Sequence, residues 1–132
     1  MKFNLKTRVH AFLHPEEAFQ NIQTDWGSFA VRAFPVPKHP FGCLNHIRSE
    51  VDELEKELKV FTNSTPGFQD TVMRDRVAYE IADVIIVACH LAWKVGIYNL
   101  QKYLLEKINK NKTRTWGEPD PVTGVIHHTN KE

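Results

Sequence analysis

The longest apolar stretch of the chain is Glu80–Trp93. Its only polar residues are Glu80, Asp83 and His90, so a helix here would be apolar on nearly every face and would pack inside the protein. A buried β-strand is the alternative for the β-branched segment V-I-I-V, but the apolar run continues without a turn signal. The length of the run therefore favours a helix. Its two acids then need a compensating partner, because an ionised carboxylate in an apolar interior is costly.

Three further segments carry apolar residues at the three- and four-residue spacing of a helix. With the apolar stretch, they predict helices over about 15–31, 43–58, 70–95 and 100–113. His14-Pro15-Glu16-Glu17 has the composition of a helix start, and Gly96 that of a helix end.

Proline, glycine and small polar residues mark the connections between these helices. Three prolines and a glycine between Phe34 and Gly42 predict a loop, and the segment F-T-N-S-T-P-G-F from Phe61 predicts another. The turn-rich end, 117–132, predicts a tail on the surface. We therefore predict a single all-α domain over 1–132, resembling a four-helix bundle with an irregular C-terminal tail.

Composition limits the classes of partner. A net charge of +1 and a pI near 7.8 argue against a broad surface for nucleic acid. Cys43 and Cys89 are the only cysteines, which suits a reduced intracellular protein with inert thiols. The sequence contains neither a signal-peptide core nor an apolar run of about 18 residues. These features predict a cytoplasmic protein that binds neither nucleic acid nor membranes.

Two pairs of acids are the candidate chemistry. Glu50 and Glu53 lie three positions apart in one predicted helix, and Glu80 and Asp83 lie three apart in another, so each pair projects from one helical face. If these helices pack side by side, the four carboxylates converge and repel one another unless divalent cations lie between them. Oxygen-only ligands favour Mg²⁺ or Mn²⁺ over zinc. The alternative is that Glu50 and Glu53 are solvated and pair with a neighbouring cation.

The acid pairs belong to a wider pattern. E-V-D-E at 50–53 and E-I-A-D at 80–83 resemble the E-x-x-E and E-x-x-D motifs of the MazG-like all-α nucleoside triphosphate pyrophosphohydrolases. Further similar segments are H-I-R-S-E at 46–50, A-W-K-V-G at 92–96 and K-I-N-K-N-K-T-R-T-W at 107–116. Together they resemble the phage and bacterial dATP/dGTP diphosphohydrolase branch, which includes the MazZ enzymes of phages that use 2-aminoadenine. The resemblance covers about residues 26–116.

The resemblance implies a MazG-type fold and hydrolysis of a nucleoside triphosphate at the α-phosphorus, releasing the monophosphate and pyrophosphate. It implies that the four acids hold two or more Mg²⁺ or Mn²⁺ ions, with Glu53 a candidate to accept the proton of the attacking water. The favoured substrates are dGTP and dATP. A homo-oligomer, dimer or tetramer, is also implied, and a phage-encoded chain would act in the host cytoplasm.

Other residues are candidates for substrate contact. Lys107, Asn111 and Arg114 share the spacing of one helical face, where they can bind phosphates or simply complement the helix dipole. The resemblance favours phosphate binding. Trp26, with Ile22 one turn before it, is a candidate wall for a purine base, although such a tryptophan is more often a core residue.

Three residues are expected to play supporting roles. Trp93 and His90 are expected to pack in the core. His46, one turn before Glu50, is a candidate to support that glutamate rather than a ligand.

Two alternatives remain open, and a third lacks the motif that it needs. Within the same class, the substrate could be dUTP or phosphoribosyl-ATP. A carboxylate-bridged di-iron bundle needs E-x-x-H on two helices, and neither acid pair has it. A non-catalytic helical interaction module would use the same acids for ion pairs between helices.

Overall fold

The computed structural model describes residues 18–33, 39–64 and 71–129. Within them the protein is all-α, as predicted, with helices α1 (Ala18–Ala33), α2 (Pro40–Asn63), α3 (Thr71–Lys94) and α4 (Leu100–Lys112). The apolar stretch is therefore a helix and not a strand. The predicted start of α1 at His14–Glu17 lies outside the described residues.

Helix α2 is longer at both ends than the sequence indicated. It begins at Pro40, where the predicted loop was wrong, because proline is tolerated in the first helical turn. The ring of His39 accepts a hydrogen bond from the Phe41 amide and caps the helix. At the other end the helix continues three residues into the predicted break, to Asn63, and the Thr62 hydroxyl donates back to the Leu58 carbonyl at 2.9 Å. Residues 65–68 of that break lie outside the described residues.

Gly96 ends α3 as predicted. Its backbone has φ of 81°, in the left-handed region that favours glycine. The amide of Gly96 donates to the Trp93 carbonyl at 3.1 Å, and that of Ile97 donates to the Ala92 carbonyl at 2.8 Å. These two bonds form a Schellman motif, which satisfies carbonyls that the helix end would otherwise leave unpaired.

A glutamine of α1 holds the connection between α3 and α4. Gln23 is fully buried. Its Nε2 donates to the Ile97 carbonyl at 2.9 Å, and its Oε1 accepts from the Leu100 amide at 2.9 Å. Because both ends of the amide have partners, its burial leaves no polar group unsatisfied.

The buried apolar residues of the described ranges lie on α1, α2 and α3, and α3 contacts both of the other helices. They are Ala30, Cys43, Val87, Cys89 and Ala92. The prediction that the whole apolar stretch lies inside the protein is wrong for its first half, where Ile81 and Ile85 are both 44% exposed. Apolar composition predicts that a face needs a cover, but not whether the same chain provides it.

The chain divides into two compact units, Met1–Leu100 and Gln101–Glu132. In the second unit the tail folds back on itself, with an antiparallel bridge between Trp116 and His128. Its turn is closed by Asp120, whose carboxylate accepts from the Val122 and Thr123 amides. These bonds hold the pKa of Asp120 below its ordinary value. Residues 118–129 are exposed, and the pairing of Trp116 with His128 was not expected.

None of the helices in the described ranges combines the length and apolar character needed to cross a bilayer. The single domain predicted from the chain length stays a prediction.

Candidate metal centre

An ion pair shows how α2 and α3 align. Arg76 of α3 donates from Nη2 to Oε1 of Glu57 on α2 at 2.8 Å. Moving seven residues along α3 from Arg76 leads to Asp83, and moving seven residues back along α2 from Glu57 leads to Glu50. Seven residues are close to two helical turns. In antiparallel helices, the acids therefore return to the side on which the ion pair lies.

Three acids meet at this position. Glu50, Glu80 and Asp83 each place one carboxylate oxygen within 4.8 Å of the others. Glu50 and Glu80 are half-buried, whereas Asp83 is exposed. The cluster thus opens to solvent on the side of Asp83 and is partly covered on the side of the glutamates.

The surroundings of Glu80 raise the pKa of its carboxyl group. Its Oε2 atom is shielded from solvent and makes no hydrogen bond within the described ranges. Desolvation of the carboxylate raises its pKa above the ordinary value, and the negative charges of Glu53, Asp83, Glu57 and Glu50 raise it further. A shielded carboxylate oxygen surrounded by like charges is the environment that a divalent cation would relieve.

Glu53, the fourth predicted ligand, lies outside the group of three carboxylates. Its side chain is exposed. It remains near, because its charge contributes more than that of any other residue to the raised pKa of Glu80. The structure therefore places Glu53 beside the cluster rather than in it.

His46 contacts the cluster from α2. Its Nε2 lies 2.6 Å from Oε1 of Glu50, one turn further along the helix. The imidazole is 57% exposed, whereas the Glu50 side chain is only 15% exposed. The supporting position suggested by the sequence is therefore the one that the structure shows.

Arg76 is a site residue that sequence reasoning missed. It forms the ion pair with Glu57, whose charge acts on Glu80. A signal was present, because Arg76 precedes Glu80 by four residues and Glu57 continues the acidic flank of α2. Its partner could not be chosen without the alignment of the two helices.

The residues proposed for a base pocket lie on α1. Ile22 is 51% exposed. Trp26 is half-buried, and its ring centroid lies 5.3 Å from that of Phe29. Trp26 and Phe29 thus form an aromatic pair on α1, the helix that packs on α3 through Gly27.

Trp93 and His90 are packing residues, in agreement with the sequence. Trp93 lies against Gly27 and contacts Tyr98 edge to face. His90 is buried, and its burial, together with the positive charges of Lys94 and His46, holds its pKa below the ordinary value.

The predicted phosphate-binding residues belong to the second compact unit. Lys107 and Asn111 are in α4, but Arg114 lies in the turn after the helix rather than on its last face. Arg114 donates from Nη1 to Oδ1 of Asn111 at 3.1 Å. Trp116 donates from its indole to the Asn111 carbonyl at 3.2 Å, so Asn111, Arg114 and Trp116 share one small network.

The donor set of the cluster fits a hard cation. Three carboxylates from two helices offer only oxygen, which suits Mg²⁺ or Mn²⁺. The shielded Oε2 of Glu80 supports the same ions, since it has no hydrogen-bond donor among the described residues. The sequence matches no family model, and no curated protein or solved structure matches it significantly.

Proposed function

We propose that this protein is a Mg²⁺- or Mn²⁺-dependent nucleoside triphosphate pyrophosphohydrolase with a MazG-type fold. The observation that carries the proposal is the convergence of Glu50, Glu80 and Asp83, with one shielded oxygen of Glu80 that makes no hydrogen bond in the described part of the chain. The motifs E-V-D-E and E-I-A-D supply the reaction class through their resemblance to this family.

The three acids would hold the cation between α2 and α3. When bound, Mg²⁺ neutralises phosphate oxygens and increases the acidity of a coordinated water. The half-buried glutamates would fix the position of the ion, and the exposed Asp83 would face the incoming triphosphate. Like charges held close together repel one another, and a bound cation would offset that repulsion. Surface ion pairs alone do not explain why the three acids lie so close.

Glu53 is the best candidate for the general base. It lies near Glu80 but outside the group of close carboxylates, and it is exposed. A carboxylate that does not hold the ion retains lone pairs for the proton of the attacking water. This assignment keeps Glu53 as the candidate base that the resemblance suggested, and leaves the other three acids as the ligands.

The substrate class rests on the resemblance alone. It favours dGTP or dATP, with dUTP and phosphoribosyl-ATP as alternatives. The phosphate-binding role of Lys107, Asn111 and Arg114 and the base-binding role of Trp26 and Ile22 stay predictions from the sequence.

A homo-oligomer, dimer or tetramer, is part of the proposal. Among the described residues of α1, α2 and α3, each helix carries large apolar side chains that are at least 41% exposed in the single chain. Examples are Ile22 and Phe29 on α1, Val51 and Leu58 on α2, and Ile81 and Ile85 on α3. Surfaces of this kind are typical of protein–protein contacts. Sedimentation of a monomer at micromolar concentration would contradict this part.

The test is a panel of triphosphates assayed for pyrophosphate with and without Mg²⁺. We expect release of pyrophosphate that depends on Mg²⁺ and is greatest with a purine deoxynucleotide. Asp83→Asn should remove it, whereas Glu55→Gln, a change on the exposed side of α2, should retain it. Absence of both pyrophosphate release and stabilisation by Mg²⁺ would favour the non-catalytic helical module.

A further inference from the structure

His46 contacts one of the proposed ligands directly. Nε2 of His46 lies 2.6 Å from Oε1 of Glu50, within hydrogen-bonding reach of the carboxylate. An ionised carboxylate only accepts hydrogen bonds, so in a hydrogen bond at this contact Nε2 is the donor. Histidine nitrogens are possible metal ligands, but among the described residues the group of close ligand atoms does not include His46.

This contact differs from an ordinary ion pair on a helix surface. Helix α2 has a second pair with the same four-residue separation, Glu55 and Lys59, whose side chains are 60% and 67% exposed. Glu50, in contrast, is only 15% exposed and lies in the acid cluster. The contact with His46 therefore involves a carboxylate that has few solvent partners.

We propose that His46 is a positioning residue for the cation site, through its bond to Oε1 of Glu50. The inference rests on the proposed function. By donating to one oxygen, the imidazole orients the carboxylate and leaves its remaining lone pairs for the ion. Hydrogen-bond partners of metal ligands commonly contribute about 10- to 100-fold to metal affinity.

The experiment measures Mn²⁺ binding by the purified full chain at one neutral pH, without substrate. Free Mn²⁺ is followed by its electron paramagnetic resonance signal, and calorimetry gives the dissociation constant. The variants are His46→Leu, which removes the donor, His46→Gln, whose amide can donate from a similar position, and Lys59→Gln as the matched control. Circular dichroism and thermal unfolding verify that each variant is folded.

We expect His46→Leu to weaken Mn²⁺ binding about tenfold or more. His46→Gln should restore affinity to within about threefold of the natural protein, and Lys59→Gln should not change it. A general effect on the fold would lower the Mn²⁺ affinity of both His46 variants. Recovery of affinity in His46→Gln alone therefore indicates a positioning hydrogen bond.

Two results would overturn the inference alone. The first is an unchanged Mn²⁺ affinity in folded His46→Leu. The second is an equal loss of Mn²⁺ affinity in His46→Leu and His46→Gln. Both apply when the natural protein binds Mn²⁺ and Glu80→Gln abolishes that binding. If the natural protein itself fails to bind Mn²⁺, the proposed function fails and the inference fails with it. The Glu80→Gln arm thus tells the two failures apart.

Discussion

Gly27 of α1 lies against the indole of Trp93 on α3, with no room for a side chain between them. A β-carbon at Gly27 would lie 2.8 Å from Cζ3 of the ring and closer still to two other ring carbons. Trp93 cannot move away freely, because Tyr98 packs against its ring with centroids 4.8 Å apart. The absence of a side chain at Gly27 therefore permits the close contact of α1 with α3.

Gly27→Ala is expected to destabilise the protein by about 1–3 kcal/mol, as overpacking does. Helix propensity alone predicts the opposite sign, since alanine is favoured over glycine by about 1 kcal/mol in a helix. Urea denaturation measures the difference. The exposed neighbour Ser28→Ala is the control and should stay within about 0.5 kcal/mol. A more stable Gly27→Ala variant would contradict the close packing.

Gln23→Leu should loosen the connection between α3 and α4. The substitution leaves the Ile97 carbonyl and the Leu100 amide without their side-chain partner, at a cost of about 2 kcal/mol or more. Hydrogen exchange of the Leu100 amide is the direct measurement, and its protection should fall. The control is Thr24→Ala, an exposed position one residue further on. Equal protection in both variants would show that Gln23 does not hold this segment.

Glu80→Gln tests the electrostatics of the cluster without metal. The folded-state pKa of Glu80 is raised, so its contribution to stability is fully present below the ordinary value of 4.5 and is lost as pH rises through the raised value. In chelator, Glu80→Gln should therefore unfold at a higher temperature than the natural protein at neutral pH. The difference should vanish in acid. With excess Mg²⁺ the order should reverse, because only the natural protein retains the full ligand set.

Arg76→Gln should leave the carboxylate of Glu57 without its ion-pair partner. Both partners are partly exposed, so we expect a loss of about 0.5–1 kcal/mol at low ionic strength. A double-mutant cycle with Glu57→Gln isolates the pair, and high salt should reduce the coupling. Additive effects of the two substitutions would show that the ion pair does not stabilise the contact between α2 and α3.

Arg114→Gln tests the predicted phosphate-binding residues. If Arg114 binds the triphosphate, its loss should raise the KM about tenfold or more, as expected for a charged hydrogen bond. The matched control is Lys110→Gln, which removes an exposed charge from the end of α4. An equal rise in both variants would indicate a general effect of charge rather than a specific contact.

The sequence predicts the helices well where the signal is local. Apolar periodicity and Gly96 are enough to place α3 and α4, because a helix face and its C-terminal glycine involve only nearby residues. The predicted start of α2 was wrong because proline breaks a helix in its interior but is tolerated in its first turn, where Pro40 lies. The sequence does not distinguish these two positions without the cap formed by His39.

The candidate site depends on longer-range relationships. Spacing shows that Glu50 and Glu53 share one flank of a helix, but only the packing of α2 on α3 separates Glu50, within the cluster, from Glu53, beside it. The partner of Arg76 depends on the same alignment. The sequence also does not show whether Ile81 and Ile85 are exposed, because their exposure depends on what packs against α3.

The matched seven-residue steps on α2 and α3 restrict how this protein can change in length. One inserted residue between Glu50 and Glu57 would rotate one end of α2 by about 100° relative to the other, so that the acid cluster and the Arg76 ion pair could not both form. Relatives that keep both the acid cluster and the ion pair should therefore keep the length of the interval from Glu50 to Glu57.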